Sequence, residues 1–201
     1  MVRGVDRRAI FFEEQDRRFL IERISSVFGE EGAVCLAWAF MPNHVHLVTR
    51  TGERPLARAM QRVGTAYGRY FNRRYERSGY VFQGRYKALA VLDDSYLLPL
   101  IRYVHRTPLE GGIVPSLEAL GRYRWTGHAV LLGRREARFQ VIAEILAWFG
   151  STPEAARSHL CTWMRDISAE SPIRWTKSGP TQRDAGARGP SVERRRDSPW
   201  A

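Results

Sequence analysis

The feature that most constrains this chain is its longest apolar run, residues 33–41. It leads through Met41-Pro42-Asn43 into a second run, His44-Val45-His46-Leu47-Val48-Thr49-Arg50. The first run is only about half the length a membrane-spanning helix requires. Bounded by Gly32 and Pro42, it reads as a buried strand over residues 33–40. Pro42 and Asn43 suit a turn, so residues 44–50 read as the returning strand of a hairpin.

Helical patterns flank this hairpin. Over residues 13–28, Leu20, Ile24, Val27 and Phe28 recur at helical spacing with charges between them, and Gly29 and Gly32 punctuate the end. A second helix is predicted over 55–75, with Leu56, Met60, Val63, Tyr67, Tyr70 and Phe71 inward and Pro55 at its start. Gly64 and Gly68 lie one turn apart inside it, each costing about 1 kcal/mol relative to Ala. The pair marks either a close backbone contact or a weak point. Residues 80–92 read as one or two extended stretches. Asp93, Asp94 and Ser95 are N-cap candidates for a third helix over 96–106, with Pro108, Gly111 and Gly112 closing it. Further helices are predicted near 139–148 and 153–163. The order of elements predicts an α+β domain with an antiparallel sheet. Residues 1–114 form its core and 115–164 a small helical C-terminal extension of the same domain. Residues 165–201 are rich in Ser, Pro, Gly and Arg and predict a disordered basic tail.

Charge narrows the function. A net charge of +11 favours a polyanionic partner over a metabolite. Residues 53–87 carry nine Arg or Lys against only Glu53 and Glu76, whereas a face selected for solubility would mix signs. Arg54, Arg58 and Arg62 recur every four residues on one helix face, and Arg69 and Arg73 continue near it. With Arg85 and Lys87 they form the candidate DNA-binding set. The guanidinium fork suits phosphate, and Tyr75, Tyr80, Phe82 and Tyr86 nearby suit unstacked bases. The stretch has no broad apolar face for a lipid surface, so no membrane partner is expected. Phe11 and Phe12 run straight into Glu13, Glu14 and Asp16, which rules out a signal-peptide core, and Cys35 and Cys161 show no paired spacing. A cytoplasmic location is expected.

Two constellations could carry chemistry. On a strand, His44 and His46 share a face, roughly 6.6 Å apart along the backbone, and two neutral imidazoles at that spacing can converge on one divalent cation. The alternative is a strand exposing two histidines to water. On the third helix, Tyr103 and Thr107 share a face while His105 points nearly opposite. A tyrosine can act as a covalent nucleophile, yet by its spacing alone Tyr103 reads first as an interior aromatic beside Leu100 and Val104. Periodicity does not connect it to the histidines.

The run Met41-Pro42-Asn43-His44-Val45-His46-Leu47-Val48 resembles the signature of the REP-associated tyrosine transposases, within the single-tyrosine HUH transposase superfamily. Ser78-Gly-Tyr-Val-Phe-Gln-Gly-Arg-Tyr-Lys87, Ile101-Arg-Tyr-Val-His-Arg-Thr-Pro108 and Tyr123-Arg-Trp-Thr-Gly-His128 resemble later segments of that family in the same order, so the likeness spans residues 3–164. It implies a ferredoxin-like antiparallel sheet with helices on one face. It also implies a homodimer, with a monomer as the alternative, acting on single-stranded DNA with hairpin ends. His44 and His46 would hold Mg²⁺ or Mn²⁺, although ligand softness alone favours zinc for paired imidazoles. Tyr103 would attack the scissile phosphate, leaving a 5′-phosphotyrosine and a free 3′-hydroxyl.

Two departures stand out. Thr107 occupies the position where the family carries an Asn or Gln that completes the metal site. The chain also begins almost where the family's first strand should already have passed, so that strand is either cut short or supplied upstream. Both features feed a rival expectation: a non-catalytic single-stranded DNA-binding remnant of such a transposase. A small metal-dependent hydrolase unrelated to DNA would leave the arginines unexplained.

Overall fold

In a computed structural model of the protein, residues 1–166, 173–176 and 179–182 are described. The hairpin forms where the sequence predicts it. Strands β2 (Val34–Met41) and β3 (His44–Arg50) pair antiparallel across Pro42 and Asn43, with Ala39 opposite His46 and Met41 opposite His44. A register shift between Cys35 and Ala37 breaks the strict alternation of β2. Cys35, Trp38 and Phe40 therefore pack on one side of the sheet, and Leu36, Ala37 and Ala39 on the other.

Strand β1 (Val2–Arg3) pairs antiparallel with the free edge of β3. Residues 81–87 run antiparallel beyond it, joined by Val5 N–H to Val81 O (3.0 Å), Gln83 N–H to Arg3 O (2.9 Å) and Lys87 N–H to Met1 O (2.9 Å). The order across the sheet is thus 81–87, β1, β3, β2, the ferredoxin-like arrangement. Its first strand is only two residues long. The extended stretch expected over 80–92 is realised as this edge segment, followed by an irregular, largely exposed connection.

One face of the sheet is covered by α1 (Glu14–Glu31) and α2 (Leu56–Arg74). Leu20, Ile24, Val27 and Phe28 of α1 meet Val63, Tyr67 and Phe71 of α2 over Trp38, Phe40 and Val45. Glu13 and Asp16 form a capping box at the start of α1. The Asp16 carboxylate is fully buried, accepting from the Phe12 and Glu13 N–H groups at 2.8 and 2.9 Å and from the Tyr70 and Tyr75 hydroxyls at 3.1 and 2.8 Å. One charged side chain so ties the first turn of α1 to the last turns of α2. Nothing lies within 4 Å of a Cβ added at Gly64 or Gly68, so this pair is a weak point rather than a close contact.

The opposite face takes α3 (Leu97–Glu110), entered through a short 3₁₀ turn, Asp94–Tyr96, that is capped by the Asp93 side chain. Leu100, Ile101 and Val104 pack onto Leu36, Ala37, Ala39 and Val48, where the two alanines let the helix approach closely. The helix runs past its predicted end and includes Pro108, whose missing N–H leaves one bond of the ladder unmade. The extension adds α4 (Leu117–Arg122), α5 (Gly127–Leu131), α6 (Ala143–Ala147) and α7 (Pro153–Arg165). Of these, α6 and α7 lie within or over the predicted segments, and α4 and α5 are additional. Arg102 and Arg106 reach from α3 to the backbone carbonyls of Trp163, Asp166 and Met164 at 3.1, 2.9 and 2.6 Å, satisfying the open end of α7. No described helix is long and apolar enough to cross a membrane. Most of the tail expected to be disordered, 165–201, lies outside the described residues. Within it, β4 (Ile173–Thr176) and β5 (Gly179–Gln182) pair antiparallel, in contrast to that expectation. Ile173, Trp175 and Thr176 are strand-favouring types.

Candidate active site

Strand alternation sends Val45 into the layer beneath α1 and α2 and turns His44 and His46 toward the layer of α3. Because α3 lies over that face, the alternative of two water-exposed histidines fails: His46 is buried and His44 half-buried. Their ring centroids are 4.9 Å apart, closer than the backbone spacing, so the rings lean together. Tyr103 stands edge-on to His46, with 6.0 Å between centroids and the planes nearly perpendicular. The two constellations that spacing left unconnected therefore meet, with Tyr103 half-buried at the rim.

Burial governs the electrostatics. Desolvation pushes the His44 imidazole down to about 4, aided by the positive charges of Arg3 and the N-terminus. The same cause holds His46 well below the ordinary histidine range, with His44 adding to it. Both rings are neutral at neutral pH, the form that offers a lone pair to a cation. The donor set thus fits a divalent ion held by two imidazoles, with further positions left to phosphate oxygens and water. Among the described residues no group of three or more His, Cys, Asp or Glu side chains gathers into a complete cage. Thr107, the candidate third ligand, donates its hydroxyl to the Tyr103 carbonyl at 3.0 Å, one turn back on α3. Its proton is committed to the helix, which leaves only oxygen lone pairs for any other partner.

Asn43 escaped the sequence reading except as a turn former. Its side chain bridges His44 Nδ1 (2.7 Å) and the carbonyl of Arg7 (2.9 Å). An Asn directly before a His-x-His pair was the available signal.

The arginine stripe is disposed differently from what its sequence implies. Arg54, Arg58 and Arg62 converge on the buried Glu31 carboxylate at 3.6, 3.1 and 2.6 Å, and Arg62 also pairs with Glu30. These acids come from the end of α1, so counting charges within 53–87 missed them. Three guanidinium groups against two carboxylates leave one net positive charge. The Arg62 hydrogen bond is the main reason the Glu31 carboxyl is held below its usual range. The stripe also belongs to the helix layer on the far side of the sheet from α3, away from Tyr103. Arg69 and Arg73 are exposed farther along α2, and Arg85 and Lys87 are exposed on the edge segment beside β1.

No curated protein matches the chain significantly. Among solved structures it resembles a REP-associated tyrosine transposase bound to a REP hairpin, with a TM-score of 0.54 and 16% identity over 66% of this chain and 76% of that one. That likeness is one of fold. The family model described as "Transposase IS200 like" matches residues 1–107, which take in both histidines, Tyr103 and Thr107. The chain belongs to the IS200-like transposase family.

Proposed function

We propose that the protein cleaves and rejoins single-stranded DNA bearing hairpin ends, using Tyr103 as nucleophile and a divalent cation, Mg²⁺ or Mn²⁺, on His44 and His46. The observation that carries this reading is the approach of Tyr103 to the imidazole pair across the α3–sheet interface. Within the reaction, the Tyr103 phenolic oxygen attacks the scissile phosphorus and the bond to the 3′-oxygen breaks. The phenolic proton passes by way of water to the departing oxygen, which leaves as a 3′-hydroxyl. The phosphotyrosine ester conserves the phosphoester bond, so the 3′-hydroxyl can reverse the step and rejoin the strand. The cation, when bound, offsets charge developing on the phosphate. His44 and His46, neutral through burial, are ready to hold it without first losing a proton. The half-buried setting of Tyr103 restrains the phenol while leaving an approach for the strand. Exposed Arg69, Arg73, Arg85 and Lys87 supply candidate phosphate contacts, with Arg54, Arg58 and Arg62 contributing their residual positive charge.

The decisive experiment incubates purified protein with hairpin-bearing single-stranded DNA and Mn²⁺ and looks for a covalent adduct on a denaturing gel. An adduct with wild type that is absent in Tyr103→Phe is the expected result. DNA binding without any adduct supports instead a binding remnant. The short hydroxyl side chain of Thr107, standing where the family carries an amide, is what favours this second reading.

A further inference from the structure

We propose that Asn43 is a positioning residue for His44. It fixes the ring tautomer so that Nε2 presents its lone pair to the cation, and the N-terminal loop 4–10 anchors Asn43. This inference rests on the metal reading of the two histidines and adds what sets one of them.

The hydrogen-bond logic leaves a single assignment. Asn43 Nδ2 lies 2.9 Å from the carbonyl of Arg7, a group that can only accept, so the amide nitrogen must face it. The amide oxygen then faces His44 Nδ1 at 2.7 Å, and a carbonyl oxygen can only accept. The proton of the neutral imidazole therefore sits on Nδ1. A neutral ring protonated there has its lone pair on Nε2, the nitrogen left for a metal. Metal-bound histidines ordinarily hold their tautomer through such a hydrogen bond from the other ring nitrogen.

The loop that supplies the Arg7 carbonyl is built for this. Asp6 and Arg7 both adopt left-handed backbone, at φ 52 and 59°, which non-glycine residues seldom do. The loop closes on itself through Arg7 N–H to Gly4 O (3.1 Å) and Arg8 N–H to Val5 O (2.9 Å). It also grips the hairpin turn from both sides: Gly4 N–H donates to Asn43 O at 2.8 Å and Ile10 N–H to Pro42 O at 2.9 Å. Gly4 itself has no room for a side chain, because a Cβ there would lie 2.2 Å from Arg8 O. Backbone strain concentrated where its product is one aimed carbonyl points to positioning rather than accident.

Two readouts test the proposal. The first is the His44 tautomer in metal-free protein at neutral pH, read from long-range ¹H–¹⁵N couplings of the imidazole. Wild type is expected to carry its proton on Nδ1, and Asn43→Ala to shift toward the Nε2-protonated form that free imidazole side chains favour. The second is Mn²⁺ affinity followed by electron paramagnetic resonance of the free ion. Asn43→Ala is expected to weaken it about 10- to 100-fold, the usual range for partners behind a ligand. Asn43→Asp, which keeps an acceptor for Nδ1–H, should recover part of the loss. Circular dichroism and melting of the variants separate misfolding from misorientation, and the wild-type tautomer needs no variant at all. A wild-type His44 protonated on Nε2, or an Asn43→Ala protein binding Mn²⁺ as tightly as wild type, overturns the proposal. Wild-type protein that binds no Mn²⁺ overturns the metal reading, and with it the service Asn43 renders.

Discussion

Lowering the pH should unfold this protein through a histidine pair that has no part in the proposed chemistry. His105, on the side of α3 away from Tyr103, is fully buried, and among the described residues neither ring nitrogen has a hydrogen-bond partner. His128 of α5 lies 6.0 Å away between ring centroids, its Nδ1 likewise without a partner among the described residues. Burial pushes the His128 imidazole down to about 4 from the ordinary 6.5, and pushes His105 well below that ordinary value. In the unfolded chain both rings take up protons near 6.5, whereas the folded chain refuses them. Their contribution to stability is therefore complete above pH 6.5 and is lost as the pH falls from there toward the folded values. For His128 the gap of roughly two and a half units corresponds to about 3 kcal/mol by pH 4, and His105 adds to it in the same direction. A loss of that size is a large part of the 5–15 kcal/mol typical of a domain. The assay is urea unfolding followed by tryptophan fluorescence at stepped pH, comparing wild type with His128→Gln. Loosened carboxylate pairs contribute equally to both proteins and cancel, so the variant should lose about 3 kcal/mol less than wild type between neutral pH and pH 4. Parallel stability curves for the two proteins would mean that the ring titrates normally in the fold, and the burial argument would be wrong.

Gly64→Ala and Gly68→Ala should each stabilise the protein by about 1 kcal/mol, raising the melting temperature by about 2–4 °C, since the added Cβ meets nothing within 4 Å. A fall in melting temperature would show that the helix backbone is approached there after all. Removing Arg58 and Arg62 together should flatten the salt dependence of DNA binding and also lower the melting temperature, because Glu31 is left buried with fewer partners. Adding Glu31→Gln should restore the melting temperature but not the salt slope, and a double variant that melts like wild type would contradict this account of Glu31.

The sequence disclosed whatever depends on near neighbours along the chain. The returning strand matched its predicted span to the residue, because the Pro42-Asn43 turn and the change of pattern at His44 are both local. Strand β1 did not announce itself: two residues carry no period, and β3 and the 81–87 segment give it its place. Helices α4 and α5 had the Ser116 and Thr126 caps as signals, but runs of six and five residues are too short to display a stripe. The meeting of His46 with Tyr103 belongs to the fold, since it depends on α3 crossing the face of the sheet that bears Ala37 and Ala39. The family likeness anticipated that meeting; periodicity could not. The arginine stripe misled because its acids are supplied by another helix. Sequence shows how charges are ordered along one helix face but not what lies opposite.

The anchoring of α3 bears on how the protein could be cut down. The family model ends at residue 107, within the helix that carries Tyr103. That helix is wedged from behind by Leu120, Leu131, Ile145 and Leu160, and Arg102 and Arg106 fasten it to the end of α7. A fragment trimmed to the recognised portion would keep every residue proposed for chemistry and lose the buttress that holds one of them in register. A unit that keeps α3 fastened therefore extends at least through the end of α7, well past the boundary of the shared motif.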